Sequence, residues 1–532
     1  VNVTLVVTEI GRLLMLLSGL LGAVALLGVW DGWQAGDAAE EAVRLTARED
    51  WLAAAALGLA SVVAVLAGLA MRHGAGYFRR RRKKGPGPLG RREAVLLVTG
   101  SWVVGGVLAA IPYYAWSQWE GPLGAEVGFD GIVPCLFESI SGLTTCGATI
   151  LTDIEALPRA ILLWRSLTQW IGGLGVVLLF VAVLPSLGVG GKRLFMAEST
   201  GPAPEGLRPH VRSTARTLWG FYVVLTLAQT LLLMLCGLGV FDALNHAFTT
   251  LSTGGFSTRN ASIAAFDSVA VEAVITPFMI LGGVSFVVYD RLLKRRFELV
   301  WRDPELRMYL VTMAGAMVLI AGALLYRGTA IETVAGGLEG PGFGASLRAG
   351  VFTAASIMTT TGYCTADFDL FPIPAIAVIL VLMLIGGCAG STGSGVKVIR
   401  AWIGVRQVVG EIEREFRPSV VRPLRLGRRI VDAATISAST SLLLAAMVAV
   451  AIGTFLVFVF ESGRDIDPAT AFSAALSSLG NVGPGLGSIG AVETYAGLTD
   501  ATQVVLLLLM LLGRLEFFAV LAIFSRRFWS RG

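Results

Sequence analysis

The chain has 532 residues, of which 55% are apolar and only 15% charged, with a formal net charge of +5 and a mean hydropathy of +0.73. An ordinary soluble domain carries roughly 25% charged residues, so most of this surface faces something other than water, and lipid is the simplest candidate. The basic excess does not point to nucleic acid, because it gathers at the edges of apolar runs, where topology and snorkelling account for it.

The first two apolar runs, 10 to 30 and 51 to 71, are each long enough for a bilayer-crossing helix, which needs about 20 residues. The first exceeds a signal-peptide core and shows no small-residue cleavage pattern, so it reads as a permanent span. Residues 1–75 are therefore expected to form two leading transmembrane helices. The stretch from 31 to 50, with Asp31, Asp37, Glu40, Glu41, Glu49 and Asp50 against Arg44 and Arg48, is expected to be an outside loop. Residues 76–92, including Arg79 to Lys84, form a basic linker placed in the cytoplasm by the positive-inside rule. Further basic clusters lie at 192–216, 291–307, 397–429 and 526–531. If all are inside, the chain between neighbouring clusters must leave and return. That divides it into four units: 93–190, 213–290, 305–400 and 430–526. Each holds an apolar span, a shorter Gly-rich stretch and a second apolar span, the kind of internal repetition that reveals an architecture.

The middle stretches read FESISGLTTCGATIL from Phe137, FTTLSTGGFST from Phe248, FTAASIMTTTGYCTADF from Phe352 and FSAALSSLGNVGPGLG from Phe472. Each begins as a helix too short to span and reaches a glycine-centred turn, the pattern of a re-entrant pore loop. Irregular backbone at membrane depth is tolerated only where protein buries it or where it lines a water-filled cavity, so four such loops imply a shared polar axis. A K⁺ filter replaces hydration water with backbone carbonyls, and glycine admits the φ > 0 conformations this requires. The expected filter residues are Thr145, Cys146 and Gly147; Ser252, Thr253 and Gly254; Thr360, Thr361 and Gly362; and Asn481, Val482 and Gly483. Thr360-Thr361-Gly362-Tyr363 approaches the Thr-Val-Gly-Tyr core of K⁺-channel filters. One such tetrapeptide means little in a chain with 65 glycines, most of which serve turns or close helix packing; four in register mean much more.

Farther along, 386 to 395 reads GGCAGSTGSG. Glycine costs roughly 1 kcal/mol per helical position and Ser and Thr compete for backbone hydrogen bonds, so the second span of unit three should break there. Arg514 falls near the centre of the last apolar run. An intramembrane arginine faces a cavity by default, and Glu516 is its nearest carboxylate in sequence. Arg514 is expected to project into the pore as a barrier to cations. Gly390 to Lys397 imitates a phosphate-binding loop, but Val396 stands where the motif needs the lysine directly after glycine. Neither Ser391 nor Ser394 has a His or Asp partner in view, so an enzyme is not expected. The five cysteines are isolated and the three histidines, His73, His210 and His246, share no ligand spacing.

Taken with WRSLTQWIGGLGVVLL from Trp164, GGCAGSTGSGVK from Gly386 and GRLEFF from Gly513, the loops make the chain resemble the TrkH/KtrB/HKT superfamily of K⁺ transporters, in its TrkH-like branch with two extra leading helices. The resemblance implies an all-α polytopic membrane protein: two leading helices, then four pseudo-fourfold helix/pore-loop/helix repeats around a central ion pore. It implies gated K⁺ uptake across the bacterial cytoplasmic membrane, with K⁺ as the only metal and no cofactor. Its gate would be an intramembrane loop built from Gly386, Gly387, Gly390, Ser391, Thr392, Gly393, Ser394 and Gly395, with Arg514 beside it. A homodimer with one pore per protomer and a cytosolic nucleotide-binding regulatory ring of the RCK/KTN type are likewise implied. In that superfamily a Ser in place of the first filter glycine accompanies Na⁺ conduction in some plant members; Gly147 favours K⁺. Cys146 and Cys364 depart from commoner residues and read as structural. The alternative is a K⁺ symporter driven by H⁺ or Na⁺ through the same filter, for which Glu138 is the main intramembrane carboxylate.

Overall fold

The computed structural model describes all residues except 37–40, 83–89, 121–125, 184–210, 329, 419–422, 428, 516 and 531–532. Its regular structure is helical apart from two-residue strand pairs. Among the described residues, six helices are long and apolar enough to cross a membrane. In hydrocarbon every backbone group must find a partner within the protein, which favours helices for these Leu- and Ala-rich runs.

Helices α1 (Val3–Gly36) and α2 (Glu41–Arg82) form a leading hairpin. They meet at Gly11 and Gly68, where a Cβ on either glycine would lie 2.8 or 2.7 Å from the other's carbonyl oxygen; small residues allow backbones to approach this closely. The acidic stretch 31–50 is not an open loop. Helix α1 continues to Gly36 and α2 resumes at Glu41, and the buried Asp31 pairs with Arg159 at 3.0 Å. A helix keeps the backbone satisfied almost to the turn.

Four units follow. Their first helices are α3 (Arg91–Glu120), α6 (Val211–Leu235), α11 (Pro304–Arg327) and α15 (Ala433–Phe460). Their short helices are α4 (Ile132–Thr144), α7 (Val240–Leu251), α12 (Phe343–Met358) and α16 (Pro468–Gly480), of 13, 12, 16 and 13 residues. At 1.5 Å per residue none of these covers a hydrocarbon core of about 30 Å. Most of their side chains are nonetheless buried, because the long helices wrap them.

Among the described residues the second helix is continuous only in unit one, as α5 (Arg159–Val183). In unit two it divides into α8 (Val269–Gly282) and α9 (Phe286–Leu293), bent by 97°, and the five-residue α10 (Phe297–Trp301) leads to unit three. In unit three α13 (Ile373–Leu384) stops and α14 (Val398–Phe416) resumes. In unit four α17 (Asp500–Arg514) ends at the arginine, before α18 (Phe517–Phe524) and α19 (Arg526–Trp529). Among the described residues Arg514 is therefore the last of its helix. Each break frees backbone groups, and the loop from 385 to 397 takes up several of them.

Candidate functional site

The four short helices end in one backbone motif. Thr145, Thr253, Thr360 and Asn481 are left-handed, with φ of 56°, 55°, 60° and 53°, and two residues later Gly147, Gly255, Gly362 and Gly483 have φ of 84°, 80°, 78° and 107°. Between them the N–H groups of Cys146, Gly254, Thr361 and Val482 donate to the carbonyls of Ser141, Thr249, Ser356 and Ser477, at 2.9, 2.8, 2.9 and 3.0 Å. This six-to-one closure satisfies helix-end carbonyls in the Schellman manner, here with Thr or Asn where glycine is usual. It also corrects the register of loop two. Ser252 is the right-handed helix cap, with φ −74°, and the equivalent triplet is Thr253-Gly254-Gly255. A Gly-Gly doublet fits either alignment by eye; only the backbone angles separate them.

The triplets close into a ring. A Cβ on Gly147 would stand 2.1 Å from the carbonyl oxygen of Gly254, one on Gly255 1.8 Å from that of Thr361, one on Gly362 2.0 Å from that of Val482, and one on Gly483 2.8 Å from that of Cys146. Each loop's glycine thus abuts the middle carbonyl of the next loop, and the fourth returns to the first. These four positions have no room for a side chain.

Four further contacts bind neighbouring loops. Arg165 Nη1 donates to the Ser257 carbonyl at 3.3 Å, joining units one and two. Tyr363 of loop three shares a 2.5 Å hydrogen bond with Thr249 of α7. The N–H of Gly487 donates to Asp369 at 3.1 Å, and burial pushes that carboxyl, in the connection beyond loop three, up to about 6. The N–H of Tyr495 donates to the Thr149 carbonyl at 2.8 Å, and its hydroxyl donates to the Gly483 carbonyl at 2.7 Å.

Behind loop one lies a buried ion pair, Arg165 to Glu138 at 2.7 Å with both side chains at most 1% exposed. Glu138 also accepts from Ile150 N–H and Thr149 Oγ1, and the guanidinium lies 4.2 Å from the centre of the Phe256 ring. The carboxylate is thus engaged in structure. Removing one partner of such a pair costs about 3–5 kcal/mol, so Glu138→Gln should lower the thermal midpoint in detergent sharply, with Glu138→Gln/Arg165→Met recovering part of the loss. An unchanged midpoint in the single variant would show that the pair contributes nothing. Sequence reasoning named Glu138 but passed over Arg165; two opposite charges within apolar segments were the available signal.

The segment from Gly386 to Gly395 sits at the end of the ring where the short helices terminate. Parallel pairing of Ile385–Gly386 with Val396–Lys397 closes its base. Its backbone docks on the α8/α9 break: Cys388 N–H donates to Gly283 at 2.9 Å, and Phe286 N–H donates to Gly390 at 2.9 Å. Thr392 Oγ1 donates to Gly282 at 2.9 Å. It also touches the ring, with Ser394 N–H on Thr360 Oγ1 at 3.0 Å and Thr253 Oγ1 on Thr392 Oγ1 at 3.4 Å.

Arg514 holds this segment. Its Nη1 donates to the Thr392 carbonyl at 2.8 Å and to Ser394 Oγ at 2.7 Å, and Nη2 donates to the Gly172 carbonyl on α5 at 2.9 Å. Among the described residues no carboxylate pairs with it; Glu516 lies outside them. A cavity of about 60 Å³ adjoins it, lined by Ser394, Leu479, Gly513 and Phe517 among others. Lys397 Nζ donates to the Gly393 carbonyl. Cys146 is buried within the ring and Cys364 beside it, the latter with Sγ 3.6 Å from the Gly362 carbonyl. Among the described residues no group of His, Cys, Asp and Glu could hold a metal ion.

The sequence pattern of the TrkH family, described as cation transport protein, matches residues 70–531. The Trk system potassium uptake protein TrkH of Salmonella typhimurium is 35% identical over 455 residues, covering 85% of this chain and 89% of that protein. The protein of the same name from Halomonas elongata is 36% identical over 444 residues, covering 83% and 86%. Among solved structures, the potassium transporter TrkH from Vibrio parahaemolyticus superposes with a TM-score of 0.81 at 27% identity, covering both chains completely.

Proposed function

Because the chain belongs to the TrkH family of cation transport proteins, we propose that it takes up K⁺ across the bacterial cytoplasmic membrane through the ring of four loops. The observation that carries this reading is the ring itself, in which each glycine meets a neighbouring loop's carbonyl. Main-chain oxygens of Thr145 to Gly147, Thr253 to Gly255, Thr360 to Gly362 and Asn481 to Gly483 would replace the water around a dehydrated ion. The protein supplies positions and performs no covalent chemistry.

The 386–395 segment and Arg514 form the gate in this proposal, at the cytoplasmic end of the filter. The loops open outward, the basic linkers lie inside, and the four units are the segments 93–190, 213–290, 305–400 and 430–526. Transport is passive in this proposal, a reading supported by the engagement of Glu138, the main intramembrane carboxylate, with Arg165. The functional assembly is a homodimer with a cytosolic nucleotide-binding ring docked on its basic inner face.

Uptake of ⁸⁶Rb⁺ into liposomes, with K⁺, Na⁺ and NH₄⁺ as competitors, tests the proposal. The expected result is uptake driven by the K⁺ gradient alone, blocked by K⁺ far better than by Na⁺. Uptake that needs an H⁺ or Na⁺ gradient would establish the symporter instead.

A further inference from the structure

The middle residue of each triplet is Cys146, Gly254, Thr361 or Val482, so loop two alone lacks a side chain there. We infer that Gln169 of α5 supplies that side chain from the neighbouring unit and is a positioning residue for ion selectivity. The inference rests on the filter reading above.

Gln169 is completely buried. A Cβ on Gly254 would lie 2.4 Å from its Cδ and 2.5 Å from its Oε1, so the amide occupies the volume that a side chain fills in the other loops. Its Nε2 donates to the Gly254 carbonyl at 2.7 Å, and its Oε1 accepts from the Phe256 N–H at 3.1 Å. The second bond fixes the orientation: a backbone N–H can only donate, so the atom facing it is the oxygen, and the NH₂ must face Gly254. One amide therefore spans the three residues 254–256 and holds Gly255 between its two ends.

The four middle carbonyls are consequently unequal. Those of Cys146, Thr361 and Val482 accept no hydrogen bond from the described residues, whereas that of Gly254 does. A carbonyl oxygen has two lone pairs, and a donated hydrogen bond draws on the electron density that would otherwise face a cation. At this level of the ring one oxygen is held in place by the protein and three are left to the ion. Two adjacent glycines would otherwise make loop two the loosest of the four, and a loose ligand adapts to a smaller cation. Gln169 removes that freedom.

The test compares variants reconstituted in liposomes, reading the ratio of Na⁺ to K⁺ concentrations that half-block ⁸⁶Rb⁺ uptake. Gln169→Leu keeps the approximate volume and loses both hydrogen bonds; its discrimination should fall about tenfold, the equivalent of roughly one hydrogen bond, with an unchanged elution volume and a thermal midpoint lowered because the buried Phe256 N–H loses its acceptor. Gln169→Met, of similar length and without an N–H donor, should lose discrimination similarly, and it keeps the test available if the leucine variant does not fold. Gln169→Ala/Gly254→Ala, which returns a side chain to the loop itself, should discriminate better than Gln169→Ala alone. A folded Gln169→Leu or Gln169→Met protein with the wild-type ratio overturns the inference. A wild-type protein that does not prefer K⁺ to Na⁺ overturns the filter reading instead.

Discussion

Gly362→Ala is expected to reduce ⁸⁶Rb⁺ uptake by about a hundredfold or more, the effect of roughly 3 kcal/mol on a barrier. The new methyl would stand 2.0 Å from the Val482 carbonyl oxygen and 2.9 Å from Pro484 Cδ, so the backbone of loop four has to move. An L-residue at φ 78° adds about 1–2 kcal/mol of its own. The ring is closed, and a shifted Val482 carbonyl is a shifted ion ligand. Gly255→Ala should behave alike, since its methyl would meet the Thr361 carbonyl at 1.8 Å. Gly315→Ala and Gly322→Ala on α11 meet nothing within 4 Å and should leave uptake within about twofold, because alanine improves a helix interior. Uptake by a folded Gly362→Ala protein at the wild-type rate would mean that ions do not pass through this ring.

The four loops were legible in the sequence because two local signals coincide in each: a helix too short to span and a glycine after small residues. The register of loop two was not. Gly254 and Gly255 offer the same composition at either alignment, and the choice depends on which residue turns left-handed after α7, a property of the packed ring. The interruption at 386–395 was legible for a similar local reason, five glycines among ten residues. The bend between α8 and α9 was not, since Gly282, Gly283 and Ser285 look like ordinary packing positions. That bend is set by what docks on it: the carbonyls of Gly282 and Gly283 receive the hydroxyl of Thr392 and the N–H of Cys388. Arg514 was conspicuous as an intramembrane charge, yet nothing near it in sequence indicated partners at Thr392, Ser394 and Gly172. Long-range partnership is what a single sequence conceals, and the Gln169 contact, 85 residues from Gly254, is another instance.

Arg514→Ala is expected to raise uptake about tenfold or more, and the choice of replacement separates two ways an arginine could hold a pore shut. As a barrier, it would act through its charge alone, and lysine would preserve the block. As a latch, it acts through its fork, tying Thr392 and Ser394 of the loop to Gly172 of α5 in unit one. Hydrogen bonds from charged groups contribute about 1.5–3 kcal/mol each, so losing two of them moves the loop's open-to-closed ratio by more than the tenfold that 1.4 kcal/mol represents. Lysine has a point charge and no planar fork, and it cannot bridge two units at once. Under the latch, Arg514→Lys should therefore conduct nearly as well as Arg514→Ala, and Ser394→Ala should show a smaller rise in the same direction. Low flux in Arg514→Lys beside high flux in Arg514→Ala would assign the block to charge. No rise in either well-folded variant would remove Arg514 from the gate altogether. The geometry favours the latch, because one terminal nitrogen of the guanidinium holds Thr392 and Ser394 of the segment it would have to release while the other is anchored on Gly172 of α5.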